Sequence, residues 1–210
     1  MKKKPKIAII DTGTSNLRSV KYALEEFNAN VYQVSSTEDF SKNTDAIITP
    51  GIGSFPVVME KIKENGLDKI ILDQISNNMP CMFICVGMQI LFSKSYELGV
   101  TDGLNIFNGE VKKIITKPKK NVPVIGWNKI NNKNNCPILK NNFDNRFYFT
   151  HSFFVNINKN EKDIISSTAN YGNLDYCASI SYKNIFAFQF HPEKSGRGGL
   201  EIYKNFLNLL

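Results

Sequence analysis

Four short apolar runs, at residues 7–10, 31–34, 46–49 and 81–84, are separated by segments with helical spacing. That alternation restricts the chain more than any other feature. Continuously apolar strands are buried on both faces, and a parallel sheet achieves this with helices above and below it. Between the first two runs, Leu17, Val20, Leu24 and Phe27 fall on one helical face, with Asn16 placed as a candidate N-cap. The pattern predicts an α/β fold with an open, mostly parallel central sheet and flanking helices. Ligands in such sheets gather at the carboxyl ends of the strands. The loop that begins at Pro50-Gly51 and the lone Cys85 each follow a strand immediately, so the two are expected to meet.

From Gly109 onward the texture changes. Strand-like runs at 110–115, 147–150, 153–157, 178–182 and 185–190 are joined by connections rich in asparagine and lysine, which predicts additional antiparallel strands in the second half. The stretch 131–145 reads as a hairpin or surface loop. After Gly198-Gly199 the chain closes with a helix in which Leu200, Tyr203, Leu207 and Leu210 share a face. With 210 residues, 42% of them apolar, the chain is long enough for one sizeable core, and residues 1–210 are expected to form a single domain.

Charge and cysteine usage narrow the function classes. The net charge of +7 comes from lysines that are scattered apart from Lys2-Lys3-Lys4 and the 117–120 segment. No nucleic-acid recognition motif accompanies them, so solvated faces explain the charge and no nucleic-acid partner is expected. The four cysteines form no C-x-x-C pair, and with two histidines there is no zinc-type ligand spacing. A reduced, cytoplasmic setting fits. The apolar run at 7–10 is too short for a signal segment or a membrane span. Neither a phosphate loop of the G-x-x-x-x-G-K-[ST] type nor a G-x-G-x-x-G turn is present, and no cofactor or metal is expected.

The chemistry starts at Cys85, which stands where the strand-like residues 81–84 run into the helix-like pattern of Val86, Met88, Gln89, Ile90 and Leu91. A strand-to-helix turn lifts the side chain clear of the backbone and aims it at the helix N-terminus, a setting that favours a thiolate. An isolated cysteine in an apolar segment is also an ordinary small core residue. His191 and Glu193 follow the apolar run at 185–190, and residues two apart on a strand point the same way. They supply a base and its orienter, or merely a strand-ending turn at His191-Pro192. Cysteine early with histidine and glutamate late, joined only by the fold, is the logic of acyl transfer. Gly51 and Gly53 either let a ligand approach the backbone and a peptide rotate, or form a plain Pro-Gly turn.

Six separated segments, in order, carry a resemblance that covers essentially the whole chain: 10–17, Thr49-Pro50-Gly51-Ile52-Gly53-Ser54-Phe55, Cys85-Val86-Gly87-Met88-Gln89, Gly126-Trp127-Asn128, Tyr148-Phe149-Thr150-His151-Ser152, and Gln189-Phe190-His191-Pro192-Glu193-Lys194-Ser195-Gly196. The chain resembles the class I, triad-type glutamine amidotransferases, which have a flavodoxin-like fold. Within them it is similar to the glutaminases that feed a (β/α)₈-barrel cyclase making imidazole glycerol phosphate in histidine biosynthesis. The resemblance implies that Cys85 attacks L-glutamine, His191 shuttles the proton and Glu193 orients the imidazole. It places the oxyanion donors at the N–H of Val86 and in Gly51-Ile52. It places the glutamine-binding groups at Gln89 and Glu97, with Gly53, His151, Ser152 and Phe153 helping. Gln89 could equally be a polar helix face and His151 a satisfied core histidine. Asn16, Arg18, Trp127 and Asn128 match segments near the barrel in a heterodimer. A paralogue serving another barrel synthase, such as one making an amidino sugar, and a stand-alone binding or hydrolase module remain alternatives. Three positions depart from the family pattern: Thr12 for tyrosine, Phe83 for glycine and Val124 for histidine. Thr12 and Val124 are expected to be loop positions near the partner, where substitution leaves folding unchanged.

Overall fold

The computed structural model describes residues 4–13, 16–133, 136–140 and 145–210. Lys2, Lys3 and parts of the 131–145 stretch lie outside them. The first four strands, β1 (Lys6–Ile10), β2 (Asn30–Val34), β3 (Ala46–Gly51) and β4 (Cys81–Cys85), form within two residues of the apolar runs. Between them stand α1 (Leu17–Glu25), α2 (Phe55–Glu64) and α3 (Leu67–Ser76). Asn16 occupies the N-cap of α1 but its side chain makes no capping hydrogen bond, so the expected cap is one of position only.

Beyond β4 the chain makes α4 (Val86–Gln89), β5 (Phe92–Ser95), β6 (Thr101–Asp102), β7 (Phe107–Lys113), β8 (Val124–Asn132), β9 (Arg146–His151), β10 (Phe153–Ile157), β11 (Ile165–Tyr171), β12 (Leu174–Tyr182), β13 (Ile185–Phe188) and α5 (Gly196–Leu207). Two sheets result. The larger has nine strands in the order β2-β1-β3-β4-β13-β12-β11-β8-β9, and the smaller runs β10-β7-β5-β6. Pairings from β2 to β13 are parallel, whereas β13 to β12 and everything beyond are antiparallel. β13 is therefore a seam: it belongs to the parallel half by its pairing with β4 and to the antiparallel half by its pairing with β12.

Burial explains why the seam holds. Every residue of β3, β4 and β13 is buried, which requires cover on both faces; α1 packs with α5 and α2 with α3 to supply it. Phe190, just past β13, stacks on Phe147 at 4.2 Å between ring centroids and meets Phe149 edge-on at 5.6 Å. This aromatic contact ties the end of β13 to β9. In α5 the buried stripe is Gly199, Ile202, Tyr203 and Phe206. The expected face is corrected in part: Leu210 lies past the helix and is exposed, and Leu200 and Leu207 are only partly buried. Close contact of Gly199 with Pro192 turns the stripe: a Cβ at residue 199 would lie 1.8 Å from the Pro192 carbonyl oxygen.

Thr12 and Val124 overturn the expectation of exposed loop positions. Both are fully buried; the Thr12 hydroxyl donates to the Pro50 carbonyl, and Val124 pairs with His151 inside the sheet. Thr12 follows the almost wholly buried β1, and Val124 opens β8, where only it and Ile130 are buried. Phe83 is also fully buried, as expected of an aromatic side chain inside β4. Among the described residues, no helix is long and apolar enough to cross a membrane.

Candidate active site

Cys85 ends β4 and stands at the N-cap of α4 with φ 56° and ψ −112°. A non-glycine residue rarely takes a positive φ unless its surroundings impose it. Here they do. Gly87 lies so close to β3 that a Cβ would sit 2.1 Å from the Thr49 carbonyl oxygen, and a Cβ on Gly51 would be 2.9 Å from the Gly87 nitrogen and 3.1 Å from the Val86 Cβ. Gly51 thus serves packing, whereas Gly53, at φ 117°, serves backbone conformation. The longer helix expected after Cys85 is corrected to the single turn of α4, because residues from Phe92 onward are drawn into the second sheet beside β7. What remains for an anion is the first N–H of one turn, that of Val86, which has no partner within the helix.

His191 and Glu193 arrive from the other half. Glu193 Oε1 lies 2.8 Å from His191 Nδ1, with both side chains almost wholly buried. The backbone of His191 is clamped on both sides: its N–H donates to the Tyr148 carbonyl at 2.9 Å, and its carbonyl accepts from the Ser195 hydroxyl at 2.6 Å. That same hydroxyl oxygen accepts from the Tyr148 N–H at 2.9 Å. The imidazole Nε2 is buried and has no hydrogen bond of regular geometry, and neither has Glu193 Oε2. Burial alone would pull the imidazole down. The charge of the neighbouring Cys85 sulfur, its hydrogen bonding and that of Glu193 outweigh burial and raise His191 to about 10. The Cys85 sulfur thus favours the charged form of His191, and a thiol beside such an imidazole is the arrangement a cysteine nucleophile needs.

Strand register brings the two halves together. Gly51 on β3 pairs with Cys85 on β4, and Ile84 pairs with Phe188 on β13. Gln189, one step farther, therefore sits beside Cys85, and its Nε2 lies 3.7 Å from the sulfur. Gln189 Oε1 accepts from Gln89 Nε2 at 3.0 Å, and Gln89 Nε2 also donates to the Phe153 carbonyl at 3.1 Å. His151 Nδ1 lies 2.8 Å from the same carbonyl. A carbonyl only accepts, so His151 carries its proton on Nδ1. Burial, against the bond to Phe153 and aided by the nearby His191, lowers its pKa to about 4. His151 is a neutral residue at the cavity beside Cys85 and His191; its ring packs edge-on to Tyr176, and its Nε2 is buried without a hydrogen-bond partner.

A cavity of about 100 Å³ opens onto Cys85 and His191 and is lined as well by Ile52, Gly53, Val86, Gln89, Glu97, Thr150, His151, Ser152 and Phe153. The structure thus gathers the sequence-expected site residues, apart from Gly51 and Glu193, around one space; those two sit directly behind its wall. Glu97 reaches it from the loop after β5, held by the Phe55 N–H at 2.7 Å at the start of α2. Thr150, Gln189 and Ser195 were not singled out for the site from the sequence. The strand alternation expected of His191 and Glu193 is corrected: β13 ends at Phe188, and the two are brought together by the 3-10 turn Pro192–Lys194. The four expected interface residues lie elsewhere. Trp127 is exposed and meets Tyr148 edge-on, α1 touches the turn at Pro192–Lys194, and Arg18 donates to Tyr22. Asn128 is half-buried on β8. None of the four lines the cavity.

A buried cysteine on a strained strand-to-helix turn, a histidine and carboxylate from the turn that follows β13, and a small cavity beside them have the layout of a thiol enzyme's site. The chain belongs to the class-I glutamine amidotransferases: the family model described as Glutamine amidotransferase class-I matches residues 8–209. Within that class it is similar to the imidazole glycerol phosphate synthase subunit HisH of Caldanaerobacter subterraneus subsp. tengcongensis, at 42% identity over 95% of this chain and 96% of that one. It is likewise similar to subunit HisH 1 of the same synthase in Methanococcus maripaludis, at 38% identity over 97% of this chain and 100% of that one. Among solved structures, PurLQS from Thermotoga maritima matches with a TM-score of 0.75 at 18% identity, covering 99% of each chain. A crystal structure of a glutamine amidotransferase matches with a TM-score of 0.71 at 14% identity, covering 96% and 97%. The last two establish the fold alone.

Proposed function

We propose that this chain is the glutaminase subunit of imidazole glycerol phosphate synthase, acting as a single cytoplasmic domain in histidine biosynthesis. It hydrolyses L-glutamine to glutamate and ammonia and passes the ammonia to a (β/α)₈-barrel cyclase in a heterodimer. The relatives support this, since those cited are named as subunits of that synthase over nearly their whole length. The observation that carries the chemistry is the meeting of Cys85 and His191 on a cavity lined by Gln89 and Glu97, with Glu193 behind the imidazole at 2.8 Å.

In this reading the Cys85 sulfur attacks the side-chain carbonyl carbon of glutamine. Negative charge builds on the carbonyl oxygen beside the N–H of Val86 and the Gly51-Ile52 peptide, where preset donors act at little reorganisation cost. The peptide's neighbour Gly53, at φ 117°, tolerates the rotation that would turn the Ile52 N–H inward. His191 gives its proton to the leaving nitrogen, ammonia departs, and a thioester remains on Cys85. His191 then takes a proton from water as it attacks the thioester, which releases glutamate and regenerates the thiolate and imidazolium. Glu193 holds the imidazole by Nδ1. Glu97 offers a carboxylate to the substrate α-ammonium, and Gln89, Gly53 and the 151–153 segment line the remainder of the pocket. Asn16, Arg18, Trp127 and Asn128 face the barrel.

The test is glutamate release by the chain titrated with a barrel cyclase, beside an assay with ammonium salt in place of glutamine. Cys85→Ala should abolish the glutamine reaction and leave the ammonium reaction of the complex intact. Glutaminase activity retained in Cys85→Ala would contradict the assignment of the nucleophile. Stimulation by a different barrel synthase, and none by the cyclase, would contradict the assignment of the pathway.

A further inference from the structure

We infer that Gln189 is a catalytic residue of this site: its carboxamide N–H stabilises the negative charge on the Cys85 sulfur and fixes where that sulfur points. The inference rests on the reading of Cys85 as nucleophile. Its basis is the direction of a hydrogen-bond chain that cannot be reversed.

The two ends of a glutamine carboxamide are similar in shape, so their assignment depends on partners that allow one choice only. The Phe153 carbonyl is such a partner. It can only accept, so the Gln89 group 3.1 Å from it is the NH₂. The second hydrogen of that NH₂ points to Gln189, whose near atom 3.0 Å away must then be the carbonyl oxygen. The opposite end of the Gln189 carboxamide is consequently the NH₂, and it is this end that lies 3.7 Å from the Cys85 sulfur. The sulfur can answer only as acceptor. Every atom of this chain is held in place: Gln189 has no exposed surface, its backbone N–H donates to the Ala178 carbonyl at 2.9 Å, and Gln89 is likewise buried.

Strand register explains why a carboxamide stands there. Gly51, Cys85 and Gln189 occupy successive places across the carboxyl ends of β3, β4 and β13, from the pairings Gly51↔Cys85 and Ile84↔Phe188. Cys85 thus has Gly51 as its backbone partner on one side and the neutral Gln189 carboxamide against its sulfur on the other. A donor that carries no charge suits this place. It stabilises the thiolate when His191 is positive and adds no second cation to repel that imidazolium, which Cys85 and Glu193 already hold. In the same way Gln189 links the nucleophile to Gln89 on the cavity wall, so the sulfur and the pocket lining share one rigid network.

The test separates this role from mere packing. Gln189→Met removes the donor at similar volume, and Gln189→Glu keeps the acceptor for Gln89 while replacing the donor by a carboxylate. The readouts are the rate of Cys85 alkylation by iodoacetamide at pH 7, followed on the Cys85 peptide by mass spectrometry, and kcat and KM for glutamate release with the barrel subunit present. A hydrogen bond to a charged group predicts alkylation and kcat slower by about ten- to hundredfold in Gln189→Met, with KM changed less than threefold. Gln189→Glu should be slower still. Thermal midpoints identify any variant that fails to fold, and Gln189→Met, which adds no buried charge, decides the matter if Gln189→Glu does. Wild-type alkylation rates in folded Gln189→Met, with any loss confined to KM, would overturn the proposal. Failure of the Cys85 reading would show itself separately, as glutaminase activity surviving in Cys85→Ala.

Discussion

The parallel and antiparallel halves of this molecule contribute to one site by different means. In the parallel half the geometry is set by backbone packed on backbone: Gly51, Gly87 and the Thr49 carbonyl leave no room for another arrangement of the turn at Cys85. In the antiparallel half it is set by side-chain hydrogen bonds: Ser195 clamps His191 to Tyr148, and Gln89 and Gln189 tie the cavity wall to the seam. Backbone packing is all-or-none, because a clash displaces the whole turn. A hydrogen-bonded side chain can be removed and leave its neighbours nearly in place. The position of Cys85 should therefore be brittle, and that of His191 adjustable.

The largest expected effect is that of Gly87→Ala. A methyl group 2.1 Å from the Thr49 carbonyl oxygen forces β3 and the turn apart, a cost at or above the usual overpacking range of about 1–3 kcal/mol. Glutamate release should fall more than a hundredfold in the protein that still folds, because the Val86 N–H moves with Cys85. A Gly87→Ala protein with wild-type kcat and thermal midpoint would remove the basis for calling this half brittle.

Ser195→Ala should do less. It leaves the Tyr148 N–H and the His191 carbonyl without their shared partner, at a cost of about 1–3 kcal/mol for an unsatisfied buried group. We expect kcat to fall about tenfold and KM to stay level, since the turn remains held by Gly199 against Pro192 and by the His191 N–H on the Tyr148 carbonyl. Loss of activity as deep as that of Gly87→Ala would show that the two halves are equally unforgiving. Trp127→Ala, on the outer surface of the antiparallel half, should change stability by no more than about 0.5 kcal/mol. It should instead weaken stimulation by the barrel subunit, measured by titrating that subunit against glutamate release.

The same contrast governs what could be read from the sequence. β1, β3 and β4 were legible because a strand covered on both faces must be a nearly continuous apolar run, and the edge strand β2 by its buried Val31 and Val34. β5, β8 and β11 were not, since stretches such as Ser93-Lys94-Ser95 and Asn131-Asn132 become strands only through their pairing with β7, β9 and β11. Cys85, His191 and Glu193 stood out by residue type and order. Gln189 and Ser195 did not, because their roles depend on β13 lying beside β4 and on α5 closing against the turn at Pro192. The burial of Thr12 and Val124 is hidden for a related reason: a polar or β-branched residue at a strand end gives no sign of whether the chain buries it.

The two histidines offer the most direct test, since the chain has no others and each can be followed by ¹⁵N NMR of the imidazole ring. His191, raised to about 10 by Cys85 and Glu193 against burial, favours the folded state fully below its unfolded value near 6.5, and that contribution is lost as pH rises toward 10. His151, lowered to about 4 by burial, acts in the opposite sense, and its contribution is lost as pH falls from about 6.5 toward 4. The central claim is that the seam places Cys85 and His191 in one reacting pair. It predicts that His191 stays protonated well above pH 7 in the wild-type protein and that its titration moves sharply downward in Cys85→Ala, while His151 remains neutral in both. His191 titrating near 6.5 and indifferent to Cys85→Ala would contradict the claim.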